Sequence, residues 1–174
     1  TVAELASDPQ IRKLAEELGY SLPTDTEPES LRKVLEPGID CGSLEEYLLP
    51  FDVICGVLQT PETLERAAFE LAMDCVAENV WYLEVRFAPQ RHIHPGMSGL
   101  EVLRAVDAGL ARAEQESGGA IDTGILVCAM RNYHESISHY HRRVRELFPY
   151  ANERELGSNC SLAAARLAVD AKAQ

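Results

Sequence analysis

The sequence has no apolar run near the ~18 residues that a membrane-spanning helix needs, and Thr1 opens nothing like a secretion signal. It has no CxxC pair either. Cys41, Cys55, Cys75, Cys128 and Cys160 are an odd, scattered set, read as reduced thiols of an intracellular, cytoplasmic protein and not as a disulfide framework or a cysteine zinc site. A basic stripe is also missing: 16 Lys and Arg stand against 28 Asp and Glu, a net charge of −12. That balance argues against nucleic acid or an anionic membrane surface as partner and leaves a small molecule or another protein. No repeat or low-complexity tract interrupts the 174 residues, and 46% hydrophobic with 25% charged is ordinary globular composition, which excludes disorder as the dominant state. The chain starts on Thr1 in mid-pattern, so a preceding segment, with any targeting signal it carries, is expected.

What is present is a helix that feeds directly into a strand. Thr60 is a good helix cap and Pro61 suits the first helical position, after which Leu64, Ala67, Ala68, Leu71, Ala72, Cys75 and Val76 recur on one face. Past Glu78 and Asn79 the period drops to two over Val80 to Ala88. Trp81, Leu83, Val85 and Phe87 point one way and Tyr82, Glu84, Arg86 and Ala88 the other, until Pro89 ends the strand. A second strand is read over Gly124 to Met130, where Ile125 to Cys128 are continuously apolar, as in a strand buried on both faces. Between the two, Ser98 and Glu101 form a capping box, and Leu100, Leu103, Val106, Leu110 and Ala113 mark a helix that stops at Gly118-Gly119. Strand, helix, strand in that order predicts parallel strands with helices covering the sheet.

Ahead of this unit, a helix over Thr1 to Gly19 breaks at Ser7-Asp8-Pro9, with Ile11, Leu14, Ala15 and Leu18 on its second face. Leu31, Val34 and Leu35 mark a short amphipathic stretch that Pro37-Gly38 halts. Ser43 and Glu46 form a capping box for a helix beginning at Leu44, and Pro50 is expected to kink that helix or end it early. Its face carries Leu44, Tyr47, Leu48 and Phe51, which from the residues alone reads as a plain core face. Beyond the second strand, residues 132–149 read as a helix with His134, His139 and His141 on a solvated side. Residues 151–159 read as a polar connection, and 161–174 as an Ala-rich helix with Leu162, Ala165 and Val169 facing inward.

Three stretches resemble one family. YLEVRFAP, preceded by its helix, looks like the second-strand signature of the adenosine deaminase family of the amidohydrolase superfamily. VCAMRN is similar to that family's third-strand end, and SLEEYLLPFD to the segment that lids its purine pocket. The resemblance implies an α/β fold: a helix-rich portion of a parallel β/α (TIM-type) barrel, with residues 1–174 as a partial barrel domain holding the second and third strands but not the first or the later ones. Carried over position by position, it makes Leu44, Tyr47, Leu48 and Phe51 the apolar wall against which a purine base lies. Tyr47 stands where many relatives have Phe. Arg131 comes to the end of a barrel strand, where it serves the site or a structural ion pair.

His92-Ile93-His94 is the tempting local motif, because alternate residues of an extended segment project to one side, as a zinc-binding pair does. The resemblance places the family's metal pair on the first strand, ahead of Thr1, so His92 and His94 are read as loop histidines, with a pocket-rim contact as the alternative. His134-Glu135 with His139 is one residue too long for the helical zinc motif.

The function so implied is that of a segment of a zinc-dependent hydrolase deaminating adenosine or a related aminopurine to inosine and ammonia, with zinc in the parent protein activating water. The zinc ligands are not expected in this chain, which alone is expected to be inactive and to need the remainder of the barrel. A purine small molecule is the implied partner. The competing readings are a noncatalytic helical binding or scaffold protein of the same ancestry, and a deaminase of adenine or another amino-heterocycle. Glu84 and Arg86 divide the structural alternatives: on a solvent-facing antiparallel strand they sit in water, whereas in a barrel interior each needs a partner. In the complete protein, Glu84→Ala or Arg86→Ala is expected to cost roughly 3–5 kcal/mol for a barrel interior and less than about 1 kcal/mol for a solvated face. Denaturant melts decide, and near-wild-type midpoints for both overturn the barrel assignment.

Overall fold

The computed structural model describes residues 2–35, 41–130 and 132–173, apart from the side chains of residues 45, 46 and 49. The chain divides into two compact units, Thr1–Gln59 and Thr60–Gln174. In the first, Asp8 separates α1 (Val2–Ser7) from α2 (Pro9–Glu17): its carboxylate accepts the amide of Gln10 at 2.7 Å while Pro9 takes the first helical position. Gly19, at φ +84°, turns the chain out of α2. α3 (Pro28–Leu35) and α4 (Leu44–Val57) complete the unit, whose core is Ala3, Leu5, Ala6, Leu31, Val53 and Val57. Val34 is exposed, against expectation. The Pro37-Gly38 stop and the Glu46 half of the capping box lie outside the described residues and side chains.

Of the two outcomes expected at Pro50, a kink or an early end, the early end does not occur: α4 runs on through Pro50 to Val57. An interior proline costs a helix ~3 kcal/mol, and burying Val53 and Val57 in the next two turns returns about 1.5–3 kcal/mol each. Tertiary burial therefore outweighs local propensity here.

In the second unit Thr60 caps α5 (Pro61–Ala77) through a reciprocal pair with Thr63. The chain leaves α5 by way of Asn79 at φ +62° and enters β1 (Tyr82–Phe87). Ser98 and Glu101 cap α6 (Gly99–Glu116), and Gly118 and Gly119, at φ +68° and +78°, lead into β2 (Asp122–Val127). The strands are parallel and in register from Tyr82 opposite Asp122 to Phe87 opposite Val127, giving a helix-rich α/β unit with a small parallel sheet. Both strands are shorter than predicted, and β2 begins two residues earlier than Gly124. Leu83, Val85 and Phe87 are half-buried while Tyr82, Glu84 and Arg86 are exposed, so the alternation is as read. Trp81, however, stands exposed before the strand. β2 is not buried on both faces: Leu126 is exposed, and Ile125 and Val127 are only half-buried.

α7 (His139–Leu147) is shorter than the helix read over 132–149; a 3-10 turn at Glu135–Ile137 precedes it. α8 (Glu153–Lys172) begins eight residues before the predicted Ser161 because Asn152 and Glu155 form a capping box within what read as a polar connection. Its buried stripe is Leu156, Cys160 and Ala164; the predicted face is the outer one, with Leu162 and Val169 exposed.

The closest packing in the unit joins α5 to α6. α5 buries Leu64, Ala68 and Ala72, and α6 buries Val102, Val106, Leu110 and Ala113; Leu71, assigned to the inner face, is exposed. A Cβ at Gly109 would stand 2.2 Å from the Glu65 carbonyl oxygen and 3.0 Å from Ala68 Cβ, so no side chain fits. Beside this contact Arg112 pairs with Glu65 at 2.6 Å and lies over the Phe69 ring at 3.9 Å. Gly109→Ala, which must separate two backbones, is expected to destabilise by roughly 1–3 kcal/mol. Thermal or denaturant melts check this, and an unchanged midpoint would show that the helices are not so close.

Candidate functional site

Leu44, Tyr47, Leu48 and Phe51 recur at the spacing of one helical face and stand 70%, 49%, 47% and 43% exposed. The opposite side of α4 carries Val53 and Val57 into the core. α4 is thus apolar on two sides, one packed and one open, and the open side is not a core face of its unit. The Tyr47 and Phe51 rings meet at 5.8 Å and 54°, a tilted contact that gives the face a continuous aromatic edge. Such a surface can hold a flat apolar ligand, and the Tyr47 hydroxyl is the one polar group these four side chains bring to it.

Glu84 and Arg86 lie with Tyr82 on the uncovered face of β1. The Tyr82 hydroxyl donates to Glu84 Oε1 at 2.9 Å, and that carboxylate holds the phenol above its ordinary pKa. Gly124 lies opposite Glu84 in β2, where a Cβ would come to 3.6 Å of Glu84 Cγ and of the Tyr82 hydroxyl. Arg131 lies outside the described residues.

His92 and His94 do not share an extended segment. Pro89–Arg91 is a 3-10 turn; His92 is buried with its ring 6.1 Å from Phe87, while His94 is half-exposed and its Nδ1 accepts the Gly96 amide at 3.2 Å. Among the described residues no group of three His, Cys, Asp or Glu side chains could hold a metal ion. A catalytic zinc takes three protein ligands, so the described residues do not fit one and no chemical step is assigned to zinc here.

The histidines beyond β2 correct the sequence reading. His134 is exposed and caps the 3-10 turn, and His139 is half-buried, but His141 is only 1% exposed. Its Nδ1 lies 2.9 Å from Ser138 Oγ, and burial, with Arg91 nearby, pushes its pKa down to about 4. The signal available in the sequence was Ser138: taken as the residue before the helix, it puts His141 one turn inside, back on the capping side.

The family model described as adenosine deaminase matches residues 6–158. This chain belongs to the adenosine deaminase family. An adenosine deaminase of Mycobacterium leprae (strain TN) is 44% identical over 122 residues, 68% of this chain and 34% of the relative. One from Streptococcus thermophilus (strain ATCC BAA-491 / LMD-9) is 41% identical over 128 residues, 74% of this chain and 37% of the relative. Adenosine deaminase 1 of Streptomyces coelicolor (strain ATCC BAA-471 / A3(2) / M145) is 38% identical over 130 residues, 73% of this chain and 33% of the relative. The chain thus spans about a third of the length of these curated relatives.

The open face of α4 has a consequence for stability that a core face would not share. Leu48→Ala and Phe51→Ala are each expected to cost less than about 1 kcal/mol, against roughly 2–5 kcal/mol for truncating a buried Leu or Phe. Denaturant unfolding of the two variants measures the difference, and losses in the larger range would return these residues to the core.

Proposed function

We propose that this chain is a segment of a hydrolase that removes the amino group of adenosine or a closely related aminopurine, and that Leu44, Tyr47, Leu48 and Phe51 are its purine-facing wall. The observation that carries the reading is the uncovered apolar face of α4 in a chain of the adenosine deaminase family. A helix that buries one side in a core and leaves four large apolar side chains open on another has a surface in need of a partner, and a purine base is flat, apolar on its faces and polar at its rim.

The parallel pair β1 and β2 supplies two neighbouring strands of a β/α barrel whose remaining strands are not among the described residues. In that barrel the uncovered sheet face with Glu84 and Arg86 is interior, and each of these charged groups finds its counterpart on other strands. Zinc belongs to the complete protein, on ligands outside this chain, in a cytoplasmic enzyme. Hydrolysis of the exocyclic amine therefore needs the complete polypeptide.

The experiment is ammonia release from a panel of adenosine, adenine, a modified adenosine monophosphate and other aminoheterocycles. It uses the polypeptide that joins this chain to the missing strands, with the 174 residues alone as control. Turnover of an aminopurine by the complete protein and none by the segment is the expected result. No release from any member of the panel would sink the proposal in favour of a noncatalytic binding protein. Within an active enzyme, Phe51→Ala is expected to raise KM by roughly tenfold or more, the loss of one aromatic contact worth about 1.4 kcal/mol.

A further inference from the structure

Gln90 and Ser138 are 48 residues apart in sequence, yet the Ser138 hydroxyl donates to the Gln90 carbonyl oxygen at 2.8 Å. Ser138 has only that one hydrogen. Its 2.9 Å contact with His141 Nδ1 must therefore run the other way, from an Nδ1–H to the hydroxyl oxygen. This fixes the neutral tautomer and leaves Nε2 a bare acceptor, buried and with no hydrogen-bond partner. The same region is tied twice more: Gln90 Nε2 donates to the Cys160 carbonyl of α8 at 3.1 Å, and the Tyr133 hydroxyl to the His141 carbonyl at 2.7 Å. The Tyr133 and Tyr140 rings close on the imidazole with centroids at 5.6 and 5.5 Å.

We propose that His141, through Ser138 and Gln90, is a proton-operated latch that fastens the turn after β1 to the segment after β2 and releases both when the imidazole takes up a proton. Protonation places a hydrogen on Nε2, inside protein and without an acceptor. Gln90 Oε1 is also buried and makes no hydrogen bond to Nε2, and swinging the amide to make one would give up the bond to Cys160. Among the described residues no carboxylate acts on the imidazole. Arg91 on the turn opposes its charge. From the segment before α7, Glu135 is 3.7 Å from Arg145, whose guanidinium lies over the Tyr133 ring. The Tyr140 phenol is pushed up to about 12 and the Cys160 thiol is raised, both by burial, so neither supplies an anion in acid. His139, nearer the start of α7, is held below its ordinary value by burial, Arg142 and His94. The charged imidazole is accommodated by opening to water, which breaks the Ser138 and Gln90 links together.

The sign follows from the two protonation states. Closed, His141 titrates at about 4; open, it titrates near its ordinary 6.5. The stability of the closed latch is complete above the open-state value and is lost as pH falls from there through the closed-state value. Among the described residues the buried cluster beside His141 is Tyr133, Leu156 and Cys160, with no member from α5 or α6, so opening is expected to spare the α5–α6 contact although α6 also touches the 89–91 turn. The freed segments start at the carboxyl ends of two parallel strands, the side on which α/β sheets bind ligands. The latch rests on contacts within this chain and is independent of the deaminase reading.

Hydrogen-exchange mass spectrometry of the full-length polypeptide tests it, corrected for the intrinsic pH dependence of exchange. From about pH 7 to about pH 4.5, protection in peptides covering 88–97 and 132–141 is expected to fall roughly 10- to 100-fold, while α5 and α6 keep theirs. His141→Asn keeps an N–H toward Ser138 but cannot be protonated, and its protection there is expected to change less than about twofold. An equal acid loss in His141→Asn, no loss in the wild type, or simultaneous loss from α5 and α6 would each overturn the latch. Should the variant not fold, the exchange of imidazole C2 hydrogens in the wild type decides alone. A His141 midpoint well below the ordinary imidazole value of about 6.5 supports the latch, and one at or above it rejects it.

Discussion

Two strands can lie parallel and adjacent only if the chain between them crosses back over one face of the sheet, and in this unit α6 makes that crossing while lying on α5 at a distance set by Gly109. Much else follows from that approach. With β1 and β2 in register, their carboxyl ends fall side by side, and the Cys128 amide reaches the Phe87 carbonyl at 2.8 Å just past the paired residues. The segments that leave those ends therefore start as neighbours, which is why Ser138 meets Gln90 across 48 residues. A side chain at position 109 would disturb this ordering by pushing α6 away from α5.

The features legible in the sequence were those whose physics is local. Thr60, Ser98 and the Gly118-Gly119 pair act on their own neighbours within a turn, and each starts or stops an element as its chemistry requires. The period-two alternation from Leu83 to Phe87 was equally direct, since an exposed charge and a half-buried apolar residue already separate by side-chain type. Family membership was readable for a related reason, because it rests on runs of residues and not on where they lie in space.

Burial that depends on distant partners was not legible. In α8 alanines stand on nearly every side, so the apolar pattern does not distinguish the stripe of Leu156, Cys160 and Ala164 from the outer one of Leu162 and Val169. Pro50 was given its local cost without the compensating burial of Val53 and Val57. His141 had no apolar character to mark it, and its depth depends on Gln90 and Cys160, neither of which is near it in sequence. The four residues of α4 do share a face, but whether that face met core or open space depended on which other side of the helix the core had already taken.

On the proposed reading, that open face divides the labour of purine recognition. Fully burying an aliphatic or aromatic side chain yields about 1.5–3 kcal/mol, and Leu44, Tyr47, Leu48 and Phe51 each have much of their surface still to bury. Covering the four with a base thus releases several kcal/mol, a large part of the roughly 8 kcal/mol that corresponds to micromolar binding. Such contact is almost indifferent to which exocyclic groups the ring carries, because an apolar wall discriminates weakly between rings of similar size. Only the Tyr47 hydroxyl adds direction to it. Affinity for an aromatic ring can therefore be built into α4, whereas the choice among aminopurines must come from polar groups that meet the rim of the base. The deaminase reading places those groups on other strands of the barrel.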